Sequence, residues 1–409
     1  MGISAFFSER EIQKIRMETT GTFERIHFNN AGTSLPPDRV VKTVVNYLRE
    51  EALRGGYETE YVYREQLENV YVLIAQLIHA EKDEVAITEN ASMAWGLAFN
   101  GIDFKAGDVV ITSEMEYVSN LLGFLNAKKK HGIEIRVIPN DDRGNISLTA
   151  LEEAITDKTK LIAITHIAST AGTVAPIVEI GKIARKHNIL YLVDACQTVG
   201  QMPINVQEIG CDILSVNGRK FLRAPRGTGF LYVRKEVQNK LKVFFLDGFT
   251  AELISENEFK IRNDARRFEV YEKNRALTLG LGKAIEYALE IGVGRIWKRV
   301  QFLANHLRRQ LKAINGITIH DRGDQLCGIV TFSVAGVDSL KVKNELAAKK
   351  INVSVGAAES TLIYMNRNHL GSVVRASVHY YNTEEEIKTL CKALESILKR
   401  SALPFAAAK

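Results

Sequence analysis

Residues 189–234 read ILYLVDACQTVGQMPINVQEIGCDILSVNGRKFLRAPRGTGFLYVR, and the way this stretch divides into elements decides the fold. Leu190-Tyr191-Leu192-Val193 is apolar without alternation, the pattern of a strand covered on both faces, and it ends at Asp194. Asp212-Ile213-Leu214-Ser215-Val216 is a second such run, and its exit loop Asn217-Gly218-Arg219 delivers Lys220. The interval between Asp194 and Lys220 holds one helix and one strand. An acid and an amine therefore leave neighbouring strand ends.

Outward from this stretch the chain keeps alternating strands and helices. Strands are expected at Val85–Thr88, Asp108–Thr112, Ile135–Pro139 and Leu161–His166, with helices between them, which implies a mostly parallel sheet. The chain has 409 residues, 46% hydrophobic and 25% charged, enough for a large core and two domains. Its net charge of +6 comes from lysines and arginines interspersed with acids, so nucleic acid is not the expected partner. Cys196, Cys211, Cys327 and Cys391 show no metal-ligand spacing, and no metal is expected. With no leader or apolar run of membrane-spanning length, the expectation is a soluble cytoplasmic protein without a membrane partner.

A carboxylate and an amine at adjacent strand ends suit pyridoxal 5'-phosphate. Its carbonyl needs a lysine, and its pyridine nitrogen needs an acid to stay protonated as an electron sink. The bland alternative is an exposed ion pair between loop residues, which would constrain neither position. Over nearly the whole chain, and most clearly in NGRKFLRAPRGTGFLYV, the sequence resembles class V pyridoxal-phosphate enzymes of fold type I. Within that group, which includes cysteine desulfurases and isopenicillin epimerase-like proteins, the segment is most similar to ergothioneine-pathway carbon–sulfur lyases. These carry an arginine before the lysine, where cysteine desulfurases usually have histidine.

The resemblance implies an α/β fold with a mostly parallel seven-stranded sheet flanked by helices and a smaller α+β domain. Residues 1–30 would form an arm joining the small domain, 31–265 the large cofactor domain and 266–409 the small domain. Residues Thr228–Val233 would form a strand antiparallel to the others. Lys220 would bind the cofactor carbonyl and carry protons, Asp194 would hold the ring nitrogen, and Gln197 would bond the phenolic oxygen. His166 is placed near the ring as a further catalytic and cofactor residue, although a histidine there is equally a satisfied core residue. Tyr117 would stack on the ring, unless it is a core tyrosine. Ala91 and Ser92 open a helix, where free N–H groups favour a phosphate. Asn217 and Arg219 stand where relatives put further phosphate contacts.

For the substrate, the resemblance assigns the loop Asn30-Ala31-Gly32, Tyr57, Ser169 and the arginines Arg223, Arg226 and Arg375. Arg375 would clamp an amino-acid carboxylate, a bidentate geometry that lysine cannot reproduce. Arg223 and Arg226 have solvated loop charges as their competing reading, and Arg375 a structural ion pair. The polar segment 247–263 is expected to be an irregular lid or interface. Segment 266–274 would reach a partner's cofactor, with Glu272 where desulfurases have threonine, which implies a homodimer. Segment 353–360 resembles the loop in which desulfurases carry a persulfide-forming cysteine, and it contains none.

The function expected is α,β-elimination on a cysteine-derived amino acid or its sulfoxide. An aminotransferase or epimerase shares the early steps, and a non-catalytic binding protein that retains the fold is the reading from another class.

Overall fold

The computed structural model describes residues 7–402. The apolar runs form one seven-stranded sheet: β1 (Val85–Thr88), β2 (Val109–Ser113), β3 (Glu134–Ile138), β4 (Thr159–Thr165), β5 (Leu190–Asp194), β6 (Ile213–Asn217) and β7 (Gly229–Val233). Their order across the sheet is β1-β7-β6-β5-β4-β2-β3. β2 to β6 run parallel, while β7 is antiparallel to both of its neighbours, as the resemblance implies. The missing alternation in β5 follows from burial on both faces: Tyr191, Leu192 and Val193 are fully buried. Each contributes about 1.5–3 kcal/mol by leaving water.

Helices cover the sheet and support the C-terminal part. α1 (Glu9–Met17) starts with a complete capping box between Ser8 and Glu11. α2 (Asp38–Arg54) and α3 (Gly56–Ile78) follow, so the aromatic stretch 57–64 is helical. α4 (Ala91–Gly101), α5 (Val118–His131) and α6 (Ile177–Lys186) connect the strands. α7 (Arg275–Ile291) lies on α2 and α3, where Gly280 and Gly282 leave room for Val44 and Val70. α8 (Val293–Lys312), α9 (Ser339–Ala348) and α10 (Glu384–Ala402) belong to the C-terminal part. Its antiparallel sheet takes the order β8 (Ile317–Ile319), β9 (Ile329–Val334), β11 (Ser372–Ser377), β10 (Ser354–Ala357). Residues 26–27 pair with 351–352, and Asn29 bridges Ser377, so the N-terminal segment joins this part.

One expectation fails. Segment 247–263 is not irregular: Ala251–Ser255 and Glu258–Ile261 pair as an antiparallel hairpin. A tight Glu256-Asn257 connection joins the two arms. The alanine-rich end, Ala406–Lys409, lies outside the described residues.

Candidate active site

β2, β4, β5 and β6 all end at one edge of the sheet, so Ser113, Thr165, Asp194 and Asn217 share the carboxyl side where open α/β sheets bind ligands. A cavity of about 500 Å³ opens there. Ala91, Ser92, Tyr117, Ser169, Asp194, Gln197, Asn217, Arg219 and Lys220 line it, which brings together nine residues singled out in the sequence. Asn120, Thr165, Ile167 and Cys196 line it too, and sequence reasoning missed them.

The phosphate turn follows from its cap. The Asn90 side chain accepts the Met93 N–H at 2.9 Å and starts α4, leaving the first N–H groups, Ala91 and Ser92, without helical partners. Gly229 of β7 permits this closeness: a Cβ there would lie 3.0 Å from the Asn90 backbone. The lysine loop is held as tightly. Gly200 has φ +97° and faces the Phe221–Leu222 backbone, where a side chain would find no room. Lys220 is 9% exposed, and its Nζ lies 5.9 Å from the Tyr117 ring centroid. Burial lowers its pKa, Arg219 and Arg375 lower it further, and Cys196 and Asp194 oppose the shift.

Asp194 is fixed by two donors, the Cys196 N–H at 2.9 Å and the Asn120 amide at 3.0 Å. Gln197 donates to the Ala31 carbonyl at 3.1 Å, and Arg219 donates to the Gly32 carbonyl, so the loop 29–34 is tied to two residues of the cavity lining. Burial and Arg226 lower the Arg219 pKa. Gly32 is therefore present as backbone beside Arg219, and Arg226 as an exposed charge near it. Arg375 donates to the Ser169 carbonyl at 2.7 Å and to Ser354 Oγ at 2.9 Å. Burial pushes its guanidinium down to about 10. The Ser169 loop is itself tied to the C-terminal part, since Cys327 N–H donates to the Gly172 carbonyl at 2.7 Å.

Three assignments need correction, and a fourth residue lies outside this chain's cavity. Arg223 is 1% exposed and turns away from the cavity with φ +64°, donating to the Leu35 carbonyl, Tyr380 Oη and Thr19 Oγ1. It ties the lysine loop to the N-terminal segment and is not a substrate contact. His166 is buried and does not line the cavity; its ring Nδ1 meets Thr198 Oγ1 at 2.9 Å. Burial holds it neutral, with a pKa lowered to about 3. Asn30 spends its amide on the His27 and Ser377 carbonyls and accepts from Tyr381, which leaves nothing for a substrate. Tyr57 is 71% exposed and lines a separate groove with Glu89, Tyr271, Glu272 and Arg275.

The cavity fits pyridoxal phosphate on its own chemistry. Gln197 Oε1 and Ser169 Oγ are buried without a protein partner, and buried polar atoms are seldom left so unless a further group belongs there. A helix start for the phosphate, an acid for the ring nitrogen and a buried amine for the carbonyl complete the set. Among the described residues no cluster of histidine, cysteine and acid side chains could hold a metal, and no helix is long and apolar enough to cross a membrane.

Comparison with known proteins agrees with this geometry. A probable cysteine desulfurase of Methanothermobacter thermautotrophicus is 32% identical over 380 residues, covering 91% of this chain and 95% of the relative. The apo structure of the cysteine desulfurase from Thermococcus onnurineus NA1 superposes with a TM-score of 0.89 at 29% identity, covering 95% of this chain and 98% of that one. A cystine carbon–sulfur lyase, solved with its product cysteine persulfide, shares the fold at a TM-score of 0.84 and 19% identity, covering 92% of this chain and 99% of that one. The aminotransferase class-V family model matches residues 26–390. The chain thus belongs to the class V aminotransferase family and is a pyridoxal-phosphate-dependent enzyme of fold type I.

Proposed function

We propose that this enzyme is a carbon–sulfur lyase that cleaves an S-substituted cysteine or its sulfoxide by α,β-elimination. For an S-substituted cysteine, water is consumed and a thiol, pyruvate and ammonium are released. The observation that carries this reading is the state of the thiols beside a complete lysine–acid cavity. All four cysteines are buried, and segment 353–361, next to Arg375, has none. A persulfide-forming thiol must be reachable and ionised. Cys196, the one cysteine lining the cavity, has its pKa raised well above the ordinary thiol value by burial and by Asp194.

When bound, pyridoxal phosphate supplies a carbonyl for the substrate amine and a ring that withdraws the electron pair released at Cα. The N–H groups of Ala91 and Ser92, with Arg219 and Asn217, would hold its phosphate, and Asp194 its ring nitrogen. Arg375 binds the α-carboxylate as a fork. Lys220, whose lowered pKa favours the free amine, takes the proton from Cα and returns it to the departing sulfur or to Cβ. Tyr117 packs on the face of the ring. The same reading takes the working unit as a homodimer, in which the groove of Tyr57, Glu272 and Arg275 meets the second subunit.

Incubating the holoenzyme with S-substituted cysteines and assaying pyruvate tests this, with Lys220→Ala as the inactive control. Accumulation of a pyridoxamine form, or inversion at Cα without pyruvate, would contradict it.

A further inference from the structure

Glu116 sits in the turn between β2 and α5, buried at 2% exposure, and no cation pairs with it among the described residues. Its Oε1 accepts from the Tyr117 N–H at 2.9 Å, Asn120 Nδ2 at 2.8 Å and Thr165 Oγ1 at 2.5 Å, and its Oε2 accepts from Thr112 Oγ1 at 2.8 Å. Asn120 Nδ2 also donates to Asp194 Oδ2 at 3.0 Å. One amide therefore spends both hydrogens on two carboxylates. That fixes its orientation, because a flipped amide would turn its oxygen toward two acids.

We propose that Glu116 is a positioning residue that holds Asp194 against the cofactor ring through the Asn120 amide. Asp194 has few restraints of its own: the Cys196 N–H holds Oδ1, and the Asn120 amide holds Oδ2. Asn120 in turn is aimed by Glu116. Tyr117, which packs toward Lys220, is anchored to the same acid through its backbone. A single buried carboxylate thus sets the acid beneath the ring and the aromatic beside it.

The groups facing Glu116 are neutral on every element that packs against it: Thr112 on β2, Thr165 on β4, and Tyr117 N–H and Asn120 at the start of α5. The charge it senses is Asp194 on β5, itself faced by Cys196 and Lys220. Burial pushes the Glu116 carboxyl up to about 7, with Asp194 adding to the rise and the hydroxyl and amide donors opposing it. Oε2 can carry a proton by turning Thr112 into an acceptor, while Oε1 keeps its three donors. Glu116→Gln reproduces that neutral state with the Asn120 bond intact.

The test is a pH titration of the visible band of the lysine-bound cofactor in wild type, Glu116→Gln and Asn120→Ala holoenzymes, with kcat, KM and melting temperature measured alongside. Removing a negative charge linked to Asp194 should lower the band's pKa in Glu116→Gln by on the order of one unit. Cutting the link in Asn120→Ala should lower kcat about tenfold, the equivalent of one hydrogen bond to a charged group, and weaken cofactor retention. KM should stay within about twofold in both, because Arg375 is untouched. Should Asn120→Ala fail to fold, Glu116→Ala, which removes the acceptor that aims the Asn120 amide, is titrated in its place. An Asn120→Ala or Glu116→Ala titration and kcat superimposable on wild type, whatever the melting temperature, would overturn the proposal. The band titration and cofactor retention are independent of the substrate, so they stand apart from the lyase reading.

Discussion

Replacing Arg223 with methionine should damage stability and spare substrate binding. The guanidinium is sealed from water and donates to the Leu35 carbonyl at 2.8 Å, Tyr380 Oη at 2.6 Å and Thr19 Oγ1 at 2.6 Å, while Tyr381 and Tyr287 face its plane. Hydrogen bonds from a charged donor contribute about 1.5–3 kcal/mol each, so losing three would by itself cost roughly 5–9 kcal/mol. Against this, methionine fills much of the volume and removes a buried cation that has no carboxylate partner among the described residues, recovering several kcal/mol of desolvation. The net loss should be about 2–4 kcal/mol. Urea denaturation of the holoenzyme would show it as a lower midpoint at unchanged slope. KM measured under native conditions should stay within about twofold, because the side chain points away from the cavity. An unchanged midpoint with KM raised tenfold would refute this, and would return Arg223 to the substrate.

Arg375→Lys should do the reverse: KM rises about tenfold or more through loss of the fork, with little change in melting temperature. Cys196→Ala should keep most of the pyruvate-forming activity, since a buried, protonated thiol is not the nucleophile; loss of turnover on this change would make the thiol a participant. Glu116 gives a stability prediction with a definite sign. Its folded pKa of about 7 exceeds the ordinary 4.5, so the stability it contributes is full below about pH 4.5 and is lost as pH rises through 7. Glu116→Gln holoenzyme should therefore gain on wild type between pH 5 and 7, by up to about 3 kcal/mol, and hold that difference above pH 8. A difference that shrinks as pH rises would contradict the assignment.

Strand ends were legible because burial on both faces leaves an unmistakable apolar run, which put Asp194 and Lys220 at one sheet edge before any coordinates. The helix start after β1 was legible from the small residues and hydroxyl there, while its role toward a phosphate came from the resemblance alone. What sequence reasoning could not read was direction within loops. Arg223 follows Lys220 closely, yet one left-handed residue turns its side chain away from the cavity. His166 lies in a bend just after its strand, between Thr165 and Ile167, which line the cavity while it does not. Glu116 and Asn120 stand four apart around a strand exit, a spacing that signals a pair at a helix start but not that Asp194 completes it. Helix α3 begins at Gly56 and carries Tyr57 to an exposed groove outside this chain's cavity.

The most direct measurement is the fate of the carbon skeleton. Holoenzyme incubated with an S-substituted cysteine should give pyruvate and the released thiol in equal amounts, with no alanine and no protein-bound persulfide. Alanine as the main product from cysteine, with sulfur retained on the protein, would contradict the lyase account and make this chain a desulfurase that uses a thiol other than a loop cysteine.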